Sequence, residues 1–97
     1  MAQIKKNFSK KTKLIILNSP SNPTGGIILK KDLLEIVDMV KNTNCWVITD
    51  EMYSKIVYDN LDYPSFYSLP KIQNRTILVD GFSKTYSMTG WRIGYLV

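Results

Sequence analysis

Three short clusters of polar side chains stand out in this 97-residue sequence. Asn22-Pro23-Thr24-Gly25 offers an amide in a turn. Asp50-Glu51-Met52-Tyr53 offers a carboxylate and a phenol, and Ser83-Lys84-Thr85 an amine between two hydroxyls. A lysine amine becomes a nucleophile and proton carrier when burial or nearby cations lower its pKa. Each cluster also has an ordinary reading. Asn-Pro-Thr-Gly is commonly just a turn, an aspartate after a strand can cap a helix, and a lone lysine is normally solvated. Their arrangement along the chain is what calls for an explanation.

Each cluster follows a strand-like run. Thr12–Leu17 (TKLIIL), Trp46–Thr49 (WVIT) and Thr76–Val79 (TILV) are short, apolar and rich in β-branched residues, the signature of buried strands. Asn18 to Gly26 is dense in turn formers and reads as a loop. Lys30 to Asn42 carries Leu33, Ile36, Val37 and Val40 at helical spacing, with Asp32, Glu35 and Asp38 between them, and is predicted to be an amphipathic helix. Residues 53–70 hold Pro64 and Pro70 among aromatics and suit a helical turn or short hairpin followed by a loop. Trp91–Val97 (WRIGYLV) reads as a fourth strand. Strands alternating with a helix and longer crossovers predict an α/β fold with a mixed, mostly parallel sheet. In such sheets ligands bind beyond the carboxyl ends of the strands, where the amide, the carboxylate with its phenol, and the amine would converge.

Composition sets the outer bounds. The chain is one small domain at most, and a core of this size hides only about 60–65% of the unfolded surface. No apolar run nears the ~20 residues of a membrane span, and the N-terminus lacks the features of a secretory signal. Cys45 has no cysteine partner and there is no histidine, so neither a disulfide nor a Cys/His metal cluster is expected. A cytoplasmic setting follows as the expectation. The net charge of +5 comes from five lysines within residues 1–13, and the remaining residues balance. A lysine run of that kind is normally a solvated surface, so no nucleic-acid partner is expected.

N-P-T-G at 22–25, D-E-x-Y at 50–53 and S-K-T-Y-S-M-T-G-W-R-I-G-Y at 83–95 resemble the class I/II aminotransferases of pyridoxal-phosphate (PLP) fold type I. D-E-M-Y-S-K-I-V-Y-D at 50–59, followed by Tyr63-Pro64-Ser65, most resembles the aspartate-aminotransferase-like subgroup. The resemblance runs from about Thr12 to Val97 and leaves residues 1–11, lysine-rich, uninformative. It implies that the 97 residues are part of the large, PLP-binding domain, truncated at both ends and inactive alone, within a homodimeric parent. Lys84 would then carry the cofactor as a Schiff base and shuttle the substrate Cα proton. Asp50 would pair with the ring nitrogen and keep it protonated, so that the ring acts as an electron sink. Tyr53 and Asn22 would hydrogen-bond the cofactor 3′-oxygen. Arg92 would clamp the phosphate with its planar donor fork, Ser83 would add a hydroxyl, and Gly90 and Gly94 would permit close backbone approach. One departure concerns the phosphate. Many relatives place a phosphate-binding Ser or Thr three residues before the lysine, where this chain has Gly81.

The implied reaction is amino-group transfer between an amino acid and a 2-oxo acid. Two alternatives share the fold: a PLP-binding sensor domain of a transcription regulator, in which the lysine motif usually lacks the M-T-G-W found at 88–91, and a carbon–sulfur lyase. Trp46, Trp91, Tyr58, Tyr63 and Tyr67 are expected to pack rather than react, and Cys45 to be an inert buried thiol.

Overall fold

The computed structural model describes residues 1–97 and contains one four-stranded sheet. Strands β1 (Leu14–Asn18), β2 (Trp46–Asp50), β3 (Thr76–Gly81) and β4 (Gly94–Leu96) lie side by side in that order. The first three are parallel, with Asn18 opposite Asp50 and Asp50 opposite Val79. β4 runs antiparallel to β3 and sets Gly94 against Gly81. The expected mixed, mostly parallel sheet is therefore present.

Helix α2 (Lys30–Val40) joins β1 to β2 and buries Leu33, Ile36, Val37 and Val40. Those positions form one stripe at helical spacing, and Asp32 in the first turn complements the helix dipole. The stripe belongs to a core shared with Leu17, Cys45, Val47, Phe66, Leu69 and Ile72. The last three come from the β2–β3 connection, which is built of turns and a short 3₁₀ turn at Gln73–Arg75 and contains no hairpin.

Three expectations need correction. The strands are covered on one face only. Leu17, Val47 and Thr49 are buried, whereas Leu14, Ile16 and Trp46 stay open because α2 and residues 66–72 contribute to one side alone. Second, the lysine-rich start is not featureless: Ala2–Asn7 forms a helix, α1. Ile4 and Phe8 pack on the core, and Lys5 Nζ pairs with Glu35 of α2 at 2.7 Å. The Lys5 hydrogen bond holds the Glu35 carboxyl below the usual range. Third, only Gly94–Leu96 of the Trp91–Val97 run is a strand. Thr89–Trp91 forms a 3₁₀ turn and Arg92 takes the left-handed conformation, so the extended path begins after it.

Ile36 is fully buried, whereas Leu34 of the same helix is 40% exposed. In the intact protein, Ile36→Ala should cost about 2–4 kcal/mol of unfolding free energy, and Leu34→Ala less than about 1 kcal/mol. Urea unfolding measures both.

Candidate functional site

Because β1, β2 and β3 run in parallel, their carboxyl ends share one rim. The loop leaving β1 is tied down locally. Asn18 Oδ1 accepts the Asn22 amide proton at 2.9 Å, Ser19 Oγ accepts that of Ile28 at 2.9 Å, and the Ser19–Pro20 and Asn22–Pro23 bonds are both cis. Gly25 takes φ +70°, a conformation that an L side chain strains. The loop delivers Asn22 to the turn after β2, where its Nδ2 donates to Tyr53 Oη at 3.1 Å. Lys84 Nζ lies 5.9 Å from the centre of the Tyr53 ring. Asn22, Tyr53 and Lys84, from three strand ends, thus come together.

Asp50 closes β2, three residues before Tyr53. One carboxylate oxygen accepts the Met52 amide at 3.1 Å and the other has no hydrogen-bond partner in the chain. The Tyr53 hydroxyl accepts from Asn22 but has no acceptor for its own proton. Neither Asp50 nor Lys84 is ion-paired, since the chain's two salt bridges lie elsewhere.

Lys84 sits not in a loop but in one turn of helix, α3 (Phe82–Thr85), directly after β3. Phe82 braces this turn, stacking on Tyr86 at 6.0 Å and tilting against Tyr95 of β4 at 5.9 Å. Tyr95 Oη donates to Asp80 Oδ2 at 2.9 Å, bridging β4 to β3. A Cβ on Gly81 would lie 3.0 Å from the Ile93 carbonyl oxygen and from Met52 Cε, and 3.1 Å from Gly94 Cα. A side chain there requires the Ile93–Gly94 backbone and the Met52 methyl to give by a few tenths of an ångström. Gly94 shows the expected close approach, its Cβ position 3.0 Å from the Asp80 carbonyl oxygen, but Gly90 does not.

The remaining expected residues make no hydrogen bond to this group. Ser83 makes no side-chain hydrogen bond, and the exposed Arg92 donates Nη1 to the Thr89 carbonyl at 3.0 Å.

With this geometry in view, comparison with known proteins decides the family. The sequence profile described as aminotransferase class I and II matches residues 1–97. The chain belongs to that family. It is 48% identical over 94 residues to the aspartate aminotransferase of Pyrococcus abyssi, covering 97% of this chain and 24% of that one. An aromatic-amino-acid aminotransferase of Thermococcus litoralis is 44% identical over 94 residues, again 97% of this chain and 24% of the relative. Among solved structures, an aromatic aminotransferase from Pyrococcus horikoshii superposes with a TM-score of 0.92 at 47% identity, over 99% of this chain and 26% of that chain. The chain thus spans about a quarter of the length of the relatives it matches.

Two polar residues beside this rim lie within the quoted motifs but receive no site role from them. Glu51 is 3% exposed, and its Oε1 accepts from Thr49 Oγ1 (3.0 Å), Ser65 Oγ (3.1 Å) and the Phe66 amide (3.0 Å). Tyr63 donates its hydroxyl to the Ser19 carbonyl at 2.6 Å. Burial, and then the nearby Glu51 carboxylate, push this phenol far above its ordinary value. One signal in the sequence points to Glu51: strand alternation puts it on the face of Val47 and Thr49. Cys45 is buried, and burial raises its thiol pKa, in keeping with an inert cysteine. Trp46, Tyr58 and Trp91 are exposed, contrary to a packing role.

The Asp80 hydrogen bond keeps the Tyr95 proton on and raises its pKa above the ordinary value of about 10. The stabilisation is fully present below the unfolded pKa and is lost as pH rises through the higher folded one. Asp80→Asn should therefore lower the Tyr95 midpoint, as read by ultraviolet difference titration against Tyr95→Phe.

Proposed function

We propose that the protein containing this chain transfers an amino group between an amino acid and a 2-oxo acid, with PLP as cofactor and Lys84 as its attachment point. The observation that carries this reading is the convergence of the Asn22–Tyr53 hydrogen bond with the Lys84 amine. Family membership supports the reaction class. Relatives named for aspartate and for aromatic amino acids match to similar degrees, so the proposal stays with chemistry common to both.

The donors and acceptors present suit the cofactor. The unpartnered Asp50 oxygen can accept a ring N–H. Tyr53, with a free proton, and Asn22 together can present donors to a phenolic oxygen. Lys84, free of any ion pair, can offer its amine to an aldehyde. Arg92 and Ser83 would hold the phosphate, Arg92 after exchanging its Thr89 contact for the anion. When bound, PLP supplies an aldehyde for the amino group and a ring that accepts electron density from the substrate Cα.

The chain's own residues would then do the following. Lys84, released from its covalent role, takes the proton from the substrate Cα and returns one during the reverse half-reaction. Asp50 holds a positive charge on the ring nitrogen by keeping a carboxylate against it. Tyr53 and Asn22 fix orientation by hydrogen bonds from two separate strand ends. The Tyr53 ring lies 5.9 Å from Lys84 Nζ, a contact that helps hold the lysine side chain toward the rim.

In the full-length protein, borohydride should trap cofactor on wild type but not on Lys84→Ala, and the variant should lose at least about 10³-fold in turnover. Retained trapping would refute the attachment. Asp50→Ala should bind cofactor more weakly and lose most turnover, and near-normal rates would remove it from the ring-nitrogen role.

A further inference from the structure

We propose that Glu51 is a positioning residue for the Asn22–Tyr53 pair and acts through the segment Tyr63–Phe66. Glu51 is buried with no cationic partner. Its compensation is the set of three donors on Oε1, two of them from Ser65 and Phe66. A buried carboxylate is costly unless hydrogen-bonded, and bonds to a charged acceptor are stronger than neutral ones. The end of β2 therefore grips residues 65 and 66 tightly, although they lie more than a dozen positions along the chain.

Two residues before Ser65, the Tyr63 hydroxyl reaches back to the Ser19 carbonyl at 2.6 Å. Ser19 is itself buried, donates its amide to the Asp50 carbonyl at 3.2 Å, and accepts the Ile28 amide on its hydroxyl. It begins the loop that ends in the Asn22–Tyr53 contact. The path thus runs from the β2 end through residues 63–66 to the β1 loop, and returns to β2 at Tyr53. Neither Glu51 nor Tyr63 is within hydrogen-bonding distance of Lys84 or Asn22, so their effect is on position.

The inference rests on the cofactor reading only for its spectroscopic consequence. Donors from Asn22 and Tyr53 favour an anionic oxygen, so loosening them raises the pKa of the lysine-bound cofactor.

Two measurements on the full-length protein test the path: hydrogen exchange of residues 19–28 in the cofactor-free form, and the pH midpoint of the visible band in the loaded form. Glu51→Ala, Ser65→Ala and Tyr63→Phe should each speed exchange there, about tenfold for Glu51→Ala, while β3 amides stay protected. Glu51→Ala and Tyr63→Phe should raise the midpoint by about one unit. Glu51→Gln, which keeps an acceptor oxygen but loses the charge, should fall between wild type and Glu51→Ala. Should Glu51→Ala fail to fold, Ser65→Ala and Tyr63→Phe decide the matter alone. Unchanged exchange and midpoint in these two variants, or faster exchange spread evenly over the sheet, overturns the proposal. A wild type with no visible band would sink the cofactor reading instead, and exchange in the cofactor-free form would still decide the path.

Discussion

The parallel register of β1, β2 and β3 is the constraint on which the rest depends. Because Asn18, Asp50 and Val79 are aligned across the sheet, everything that follows these residues emerges at one edge. Parallel strands need long crossovers, which here are α2 between β1 and β2 and residues 51–75 between β2 and β3. Both pack on the same face, so a single core beneath the sheet supports three separate chemical groups above its rim. The Asn22–Tyr53 bond and the nearby Lys84 amine are consequences of that alignment, since no two of these residues are close in sequence.

Much of this was legible in the residues. The β-branched runs located three strands to within two residues, and the spacing of Leu33, Ile36, Val37 and Val40 gave α2 because one helical stripe meets one core. What stayed hidden depends on long-range contact. The α1 helix follows from Ile4 and Phe8 finding the core and Lys5 finding Glu35, neither of which local composition reveals. The shortened β4 follows from the left-handed turn at Arg92, at a residue type that gives no hint of positive φ. At the rim, the motifs exposed the residues that face outward. They assigned no role to Glu51 and Tyr63, whose partners Ser65, Phe66 and Ser19 lie more than a dozen residues away.

The rim therefore has two layers. Asn22, Asp50, Tyr53 and Lys84 retain unused hydrogen-bonding capacity. Glu51, Ser19 and Tyr63 spend theirs inside the protein and define where the others stand. Aromatic contacts do the same for Lys84, whose single helical turn is too short to hold itself and leans on Phe82, Tyr86 and Tyr95.

The contact between Gly81 and Gly94 has an evolutionary side. A Cβ on Gly81 would press on the Ile93 carbonyl oxygen and Gly94 Cα, and one on Gly94 would press on the Asp80 carbonyl oxygen, so each glycine leaves room for the backbone of the facing strand across β3 and β4. A side chain at either position asks the facing backbone to give by a few tenths of an ångström. Chimeras that join relatives between these positions would inherit mismatched halves of this contact even when each parent folds well. A junction anywhere in the stretch around the lysine would thus have to match two backbones fitted to within about one carbon atom of each other.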